Sequence, residues 1–295
     1  MQCTKCDKKA ISNDPVLCED HFDEYILQTT QETIDRFSLC SKEKNIVVAV
    51  SGGKDSLALV DVLLRLNFSV TGLYIDEGII NYREHSIEDL NNFAKQKNFS
   101  FVEKSFKEEF GFTLDQAIKT NKFHACTICG TLRRYLLNKY SRGSDLIATG
   151  HNLDDESQTI LMNISRGNTD LFLRLGPKST QEKNFTQKTK PFYFLTEKQI
   201  LTYTFLRKIV VSYGECPYAF TSFRANLRDE LNKKESKQKG VKKNIVETYL
   251  VIKEKTKQEK EANKEINSCA LCGEPSQDSN CKACKIKQEI LNSIL

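Results

Sequence analysis

Short apolar runs alternate with longer stretches of helical spacing through the first half of the chain. Ile46–Val50 (Ile-Val-Val-Ala-Val) has no polar position, the pattern of a strand covered on both faces. Lys54–Leu66 reads as a helix, Ser69–Ile75 as a second strand, Tyr82–Lys97 as a helix and Ser100–Lys104 as a short strand. Thr131–Tyr140 reads as a further helix, and Leu146–Thr149 as a strand running into an acidic helix start. This alternation predicts an α/β fold built on a doubly wound parallel sheet. Ligands of such sheets sit beyond the carboxyl ends of the strands. The segments after Val50, Ile75 and Thr149 should therefore converge.

Outside this core the pattern changes. Phe22–Leu39 has helical spacing and should link the N-terminal region to the sheet. Residues 178–190 read as an exposed basic loop, and Thr196–Tyr213 as a helix. Residues 244–266 begin with an amphipathic turn and pass into a Lys/Glu run. The expected division is a unit at 1–25, a main domain with its linking helix at 26–227, a charged linker or helix at 228–265 and a terminal unit at 266–295.

The turn after the first strand carries chemistry. Ser51-Gly52-Gly53-Lys54-Asp55-Ser56 puts two glycines where backbone N–H groups can approach a ligand, at the start of a helix. Lys54 adds a full charge, and Ser51 and Ser56 add hydroxyl donors. The spacing is not that of a Walker A loop. It suits a phosphate or pyrophosphate. At the other strand ends stand Tyr74 and Asp76, and Thr149-Gly150-His151-Asn152-Leu153-Asp154-Asp155-Glu156. The three acids can cap a helix, or can bind Mg2+ beside a nucleotide.

Nine of the eleven cysteines fall in Cys-x-x-Cys or Cys-x-x-His units. Cys3, Cys6, Cys18 and His21 make one tetrahedral zinc set, and Cys269, Cys272, Cys281 and Cys284 a second. Residues 7–17 are too short and polar to form a core, so the metal would supply folding energy there. Cys126-x2-Cys129 stands without a second pair nearby. It reads as half a zinc site, a redox dithiol or part of an iron–sulfur site, with Cys216 the best unpaired candidate to join it. Three thiolates would leave one iron of a [4Fe–4S] cube without a protein ligand. Cys40 precedes the first core strand and is expected to be structural, far from these three.

The chain has 295 residues and a formal charge of +5. Residues 228–265 hold 12 Lys/Arg against 8 Asp/Glu, and thiolate–metal sites would lower the total further, so global charge says little about nucleic acid. No apolar run approaches the roughly 18 residues of a membrane span, and the first residues lack the apolar region of a signal peptide. A cytoplasmic protein with no membrane contact is expected.

Ser51–Ser56 resembles the PP-loop of the ATP pyrophosphatases (adenine nucleotide alpha hydrolase-like). With Cys126-x2-Cys129-Gly130, Thr149–Glu156, Arg166-Gly167 and Glu215-Cys216-Pro217-Tyr218-Ala219, it resembles the tRNA 2-thiouridine synthetases of the TtuA/TtcA family. The two zinc units resemble the TtuA-type branch, which includes archaeal and eukaryotic wobble-uridine thiolases. Residues 228–265 match nothing in that pattern.

The resemblance implies ATP bound by Ser51–Ser56, Tyr74, Asp76, Thr149, Gly150, His151 and Asn152, with Mg2+. It implies adenylation of a uridine oxygen, then sulfur transfer with a [4Fe–4S] cluster on Cys126, Cys129 and Cys216. Lys54, Asp55, Asp154, Asp155, Cys129 and Cys216 would be catalytic. The sulfur donor would be sulfide or a ubiquitin-like thiocarboxylate carrier, and a homodimer is left open. Arg133, Arg134, Lys190, Arg207, Lys208, Arg224 and Arg228 are candidate tRNA contacts. Arg133 stands where some members carry lysine, so a proton-transfer role does not carry over to it. Alternatives are a cluster-free persulfide route through Cys129 and Cys216, another PP-loop ligase or amidotransferase, and a non-catalytic zinc protein that binds RNA.

Overall fold

The computed structural model describes residues 1–182, 184–212, 214, 216–218, 223–256 and 267–294. Glu215 and Ala219, Tyr213 at the expected helix end, and residues 257–266 of the charged run lie outside the described residues. In chain order the elements are α1 (Glu19–Phe37), β1 (Ile46–Val50), α2 (Lys54–Arg65), β2 (Val70–Asp76), α3 (Arg83–Lys97) and β3 (Phe101–Ser105). Next come α4 (Phe106–Phe110), α5 (Leu114–Lys119), α6 (Ala125–Tyr140), β4 (Leu146–Thr149), α7 (Leu153–Ser165) and α8 (Thr169–Leu173). They are followed by β5 (Gln187–Thr189), α9 (Glu197–Leu206), α10 (Phe223–Lys237), α11 (Val241–Thr256), β6 (Asn267–Ser268), β7 (Pro275–Ser276) and α12 (Lys282–Ile294).

Five parallel strands form one sheet in the order β3-β2-β1-β4-β5. The apolar run of β1 divides by parity. Ile46, Val48 and Val50 face one core with α1, α2 and α9, and Val47 faces the other with α6 and α12. Both faces are covered, which is why the strand carries no polar position. The N-terminal cysteine unit joins the first core through Leu17 and Cys18. The C-terminal unit joins the second through Cys269, Ile286 and Ile290.

Four expectations change. The helix carrying Cys126 and Cys129 starts at Ala125 rather than Thr131, so both cysteines lie in its first two turns. His124 caps it in an extended conformation, and Gly130 is accommodated inside it. The helix from Glu197 ends at Leu206, not Tyr213, because Lys208 turns left-handed and a β-branched run, Ile209-Val210-Val211, follows. Residues 178–190 are not all loop, since Gln187–Thr189 pairs with β4 as an edge strand and Thr189 is fully buried. Through residue 256 the charged segment is two helices, whose Leu231, Val246 and Tyr249 are buried.

Candidate active site

Gly52 adopts φ 76°, and a Cβ there would stand 2.1 Å from the Ser86 carbonyl oxygen, so only glycine fits this turn. Gly150, at the end of β4, is equally confined, since its Cβ would meet the Asp55 carbonyl at 2.8 Å. The turn after β4 thus packs directly on the first turn of α2. Gly53 caps α2 without a side-chain hydrogen bond, which leaves first-turn N–H groups for an anion. Ser56 Oγ accepts from Ser51 N at 3.1 Å and donates to Gly53 O at 2.9 Å, fixing the loop.

Lys54 Nζ lies 2.8 Å from Asp55 Oδ2 and 2.8 Å from Glu197 Oε1, at the first turn of α9. Burial alone would lower the Lys54 pKa, but the two carboxylates more than offset it and raise it above its ordinary value. Asn152 donates to Asp55 Oδ1 at 3.1 Å and caps α7. Burial pushes the Asp55 and Asp155 carboxyls up; Asp155 adds to the Asp55 shift, and Glu197 raises both. Asp155 pairs with Arg224 at 2.7 Å, and Glu156 with Lys190 at 2.8 Å. Asp154 turns away: its oxygens take Lys242 Nζ and the Glu197 N–H, the latter at 2.9 Å.

The other expected residues divide. Tyr74 is fully buried, with its hydroxyl 3.4 Å from the Arg83 carbonyl, so its ring is packed rather than open. Asp76 accepts from Gly78 N at 2.8 Å. His151 Nδ1 lies 2.8 Å from Thr149 Oγ1. Crowding by neighbouring atoms, then the charges of Lys190, Arg224, Arg133 and Lys188, push the pKa of this solvent-exposed ring down, so it is neutral at pH 7. Arg228 lies on α10 beside Asp229. Arg207 and Lys208 follow the C-terminal end of α9, about 15 Å from Glu197 at its other end. Arg207 is held there by Asp61 at 3.2 Å.

Cys126, Cys129 and Cys216 gather at the same sheet end, under β2. Cys126 Sγ lies 3.9 Å from the Tyr218 carbonyl, so the segment after Cys216 rests on the first turn of α6. Cys216 is within electrostatic reach of both other thiols. Burial and the Glu77 carboxylate push Cys129 up to about 11, while Arg133 and Arg83 pull it down. Glu77 was not anticipated. It is 1 % exposed, pairs with Arg83, and lies 3.9 Å from Cys129 Sγ and 3.6 Å from Arg133. Its signal was an acid next to Asp76 at a strand end. Glu197 and Lys242 had no local signal.

The remaining thiols are accounted for. Cys3, Cys6, Cys18 and His21, and likewise Cys269, Cys272, Cys281 and Cys284, bring their ligand atoms within 4.8 Å of one another. Burial raises Cys3 and Cys269, but backbone N–H donors bring each down to about 6, which favours the thiolates a metal needs. Cys40 packs against the first core, on the other face from Cys129 and Cys216. The three site cysteines are not in the near contact of a single-ion site among the described residues. They are three thiols without a fourth, more widely set and flanked by cations. That donor set fits a multi-iron cluster better than one zinc.

Known proteins resemble this chain over nearly its whole length. The PP-loop domain model matches residues 23–235. The tRNA-5-methyluridine(54) 2-sulfurtransferase of Pyrococcus horikoshii is 36% identical, over 98% of this chain and 96% of its own. The cytoplasmic tRNA 2-thiolation protein 1 of Drosophila sechellia is 31% identical, over 95% of this chain and 85% of its own. Among solved structures, the U34-tRNA thiolase NcsA from Methanococcus maripaludis with its [4Fe-4S] cluster matches with a TM-score of 0.84 at 27% identity, covering 98% of this chain and 96% of that one.

Proposed function

The chain belongs to the PP-loop tRNA 2-thiolation enzymes, and on that premise we propose that it activates a tRNA uridine with ATP and replaces its C2 oxygen by sulfur. One observation carries the reading: the phosphate loop and three cysteines without a fourth open onto one end of one sheet. The relatives' names divide between uridine 54 and wobble uridine 34, and 2-thiolation is what they share.

The β- and γ-phosphates of ATP would lie on the first-turn N–H groups of α2, with Lys54 exchanging a carboxylate for phosphate oxygen. Uridine O2 attacks the α-phosphorus, the bond to the β-phosphate oxygen breaks, and pyrophosphate leaves. Lys54 stabilises the charge that develops on the leaving group. Asp55 and Asp155 are the pair placed to hold Mg2+, since their side chains are partly exposed whereas Asp154 is buried against Lys242. Sulfide then supplies sulfur to C2, or the terminal thiocarboxylate of a ubiquitin-like carrier does so with water cleaving its C–S bond to leave the carrier carboxylate, and the former O2 departs with AMP. Cys126, Cys129 and Cys216 would hold a [4Fe–4S] cluster. When bound, it supplies an iron without a protein ligand, where inorganic sulfur can be held. Arg133 and Arg83 balance the thiolate charge. The two terminal sets would hold structural zinc with all four positions filled by protein.

The test is nucleotide turnover with and without tRNA. Wild type should form AMP and pyrophosphate only with tRNA, and Lys54→Ala should form neither. After anaerobic purification, iron should be present in wild type and lost in Cys216→Ser, with zinc unchanged. AMP formation by Lys54→Ala at the wild-type rate would refute the site. Full activity without iron would favour the persulfide route through Cys129 and Cys216.

A further inference from the structure

Four cations lie within electrostatic reach of His151, and three of them have carboxylate partners: Arg133 with Glu77, Lys190 with Glu156 and Arg224 with Asp155. Arg134 and Lys188 have none at ion-pairing distance among the described residues, yet each lies within electrostatic reach of the other. The fold puts them together. Lys188 aligns with Ile147 across the β4–β5 ladder, so it projects from the sheet face that α6 covers. Asn138 of α6 accepts from Thr186 N at 3.1 Å, fixing helix against strand. From that tie, one turn back along α6 reaches Arg134, and two residues on reaches Lys188. Each step is about 6–7 Å toward the strand ends. Arg134 also folds toward the helix N-terminus, its Nη1 lying 3.1 Å from where a Gly130 Cβ would stand. Gly130 thereby leaves room for the guanidinium beside Cys129.

Lys188 is half-buried and Arg134 exposed, so the repulsion between the two cations falls chiefly on Lys188. Burial, then Arg134 and Lys190, push the Lys188 ammonium down to about 8. An anion between them would remove that repulsion. The strand order decides which anion. β5 lies two strands from β1, roughly 10 Å away, and on the proposed reading the PP-loop takes the pyrophosphate end of the nucleotide. On the 2-thiolation reading, the remaining phosphates brought to this sheet end are those of the tRNA backbone. We propose that Arg134 and Lys188 form a phosphate subsite that holds one phosphodiester of the tRNA next to the reacting uridine. This rests on the 2-thiolation reading. It goes beyond that reading by assigning one backbone phosphate to two named side chains, one of them Lys188.

The test compares Arg134→Gln, Lys188→Gln, their double variant and Arg134→Lys in the full zinc-loaded chain, prepared anaerobically. Binding of unmodified tRNA is measured across a salt series, and binding of a non-hydrolysable ATP analogue at one salt. Loss of one phosphate contact should reduce the slope of log K against log salt by about 0.7–0.9. The double variant should lose no more than that, because both side chains serve one phosphate. Arg134→Lys keeps the charge and should keep the slope. ATP-analogue affinity, melting temperature and iron content should stay at wild-type values. Weakened ATP-analogue binding with intact tRNA binding would give the phosphate to the nucleotide and overturn the assignment. A double variant that loses two contacts' worth of slope, or one that loses only iron, would overturn it too. Wild type that binds no tRNA at all would instead refute the 2-thiolation reading, which separates the two failures.

Discussion

Replacing Lys242 by methionine strikes the contact that joins α11 to the nucleotide site. Lys242 Nζ is ion-paired with Asp154 and lies 2.5 Å from Asn232 Oδ1, with side-chain exposures of 8% for Lys242 and 7% for Asp154. Methionine keeps most of the aliphatic stem and removes the charge. Asp154 is then a buried carboxylate held only by the Glu197 N–H at 2.9 Å. Breaking a buried pair from one side costs about 3–5 kcal/mol. For a chain of this size that lowers the melting temperature by on the order of 10 °C. Asp154→Asn alone should also destabilise, by stranding the ammonium. The double variant should cost less than the two singles together, because neither charge is left behind. Loosened, Asp154 no longer fixes the start of α9, and Glu197 sits there against Lys54. ATP-analogue affinity should fall with stability. The assay is urea unfolding of all four proteins, followed by isothermal titration with the analogue. A Lys242→Met protein within about 0.5 kcal/mol of wild type would show that the pair does not clamp α11 to the site.

Other outcomes follow from the same geometry. Burial would raise the Asp61 carboxyl, but hydrogen bonds from Lys97 at 2.7 Å and Tyr203 at 2.6 Å, with the Arg207 charge, hold it below its ordinary value. Its stabilisation is therefore complete above about pH 4 and lost as pH falls through the lower folded value. Asp61→Asn should flatten that acid limb, and an unchanged pH–stability curve would refute the contribution. Burial pushes Cys40 up to about 11, leaving a thiolate fraction of about 10⁻³ at pH 8. It should alkylate slowly, and Cys40→Ser should keep full thiolation activity. Cys269→Ser should release one zinc per chain and weaken tRNA binding more than ATP-analogue binding. An active, folded protein without zinc would contradict the structural role.

The PP-loop and the two four-ligand metal sets were legible because their chemistry is local. Ser51–Ser56 lies between a wholly apolar strand and a helix, and each metal set is two pairs at fixed spacing. The start of α6 was not legible, because Cys-Thr-Ile-Cys has weak helix propensity and Gly130 resembles a break. β5 was hidden by its composition: Gln187-Lys188-Thr189 is a three-residue edge strand with one buried position. In 228–265 the charge masked Leu231, Val246 and Tyr249, which dock the helices. The ion pairs Lys54–Glu197 and Lys242–Asp154 join residues 143 and 88 positions apart, and only the fold brings them together.

The most direct measurement is of the product. Unmodified tRNA is incubated anaerobically with the iron-reconstituted protein, ATP, Mg2+ and sulfide, then digested to nucleosides and analysed by mass spectrometry, with AMP quantified in parallel. Wild type should yield 2-thiouridine, or its 5-substituted form, in proportion to AMP, while Lys54→Ala and Cys216→Ser should yield none. No thiolated uridine from the wild-type protein, or an undiminished yield from Cys216→Ser, would contradict the account.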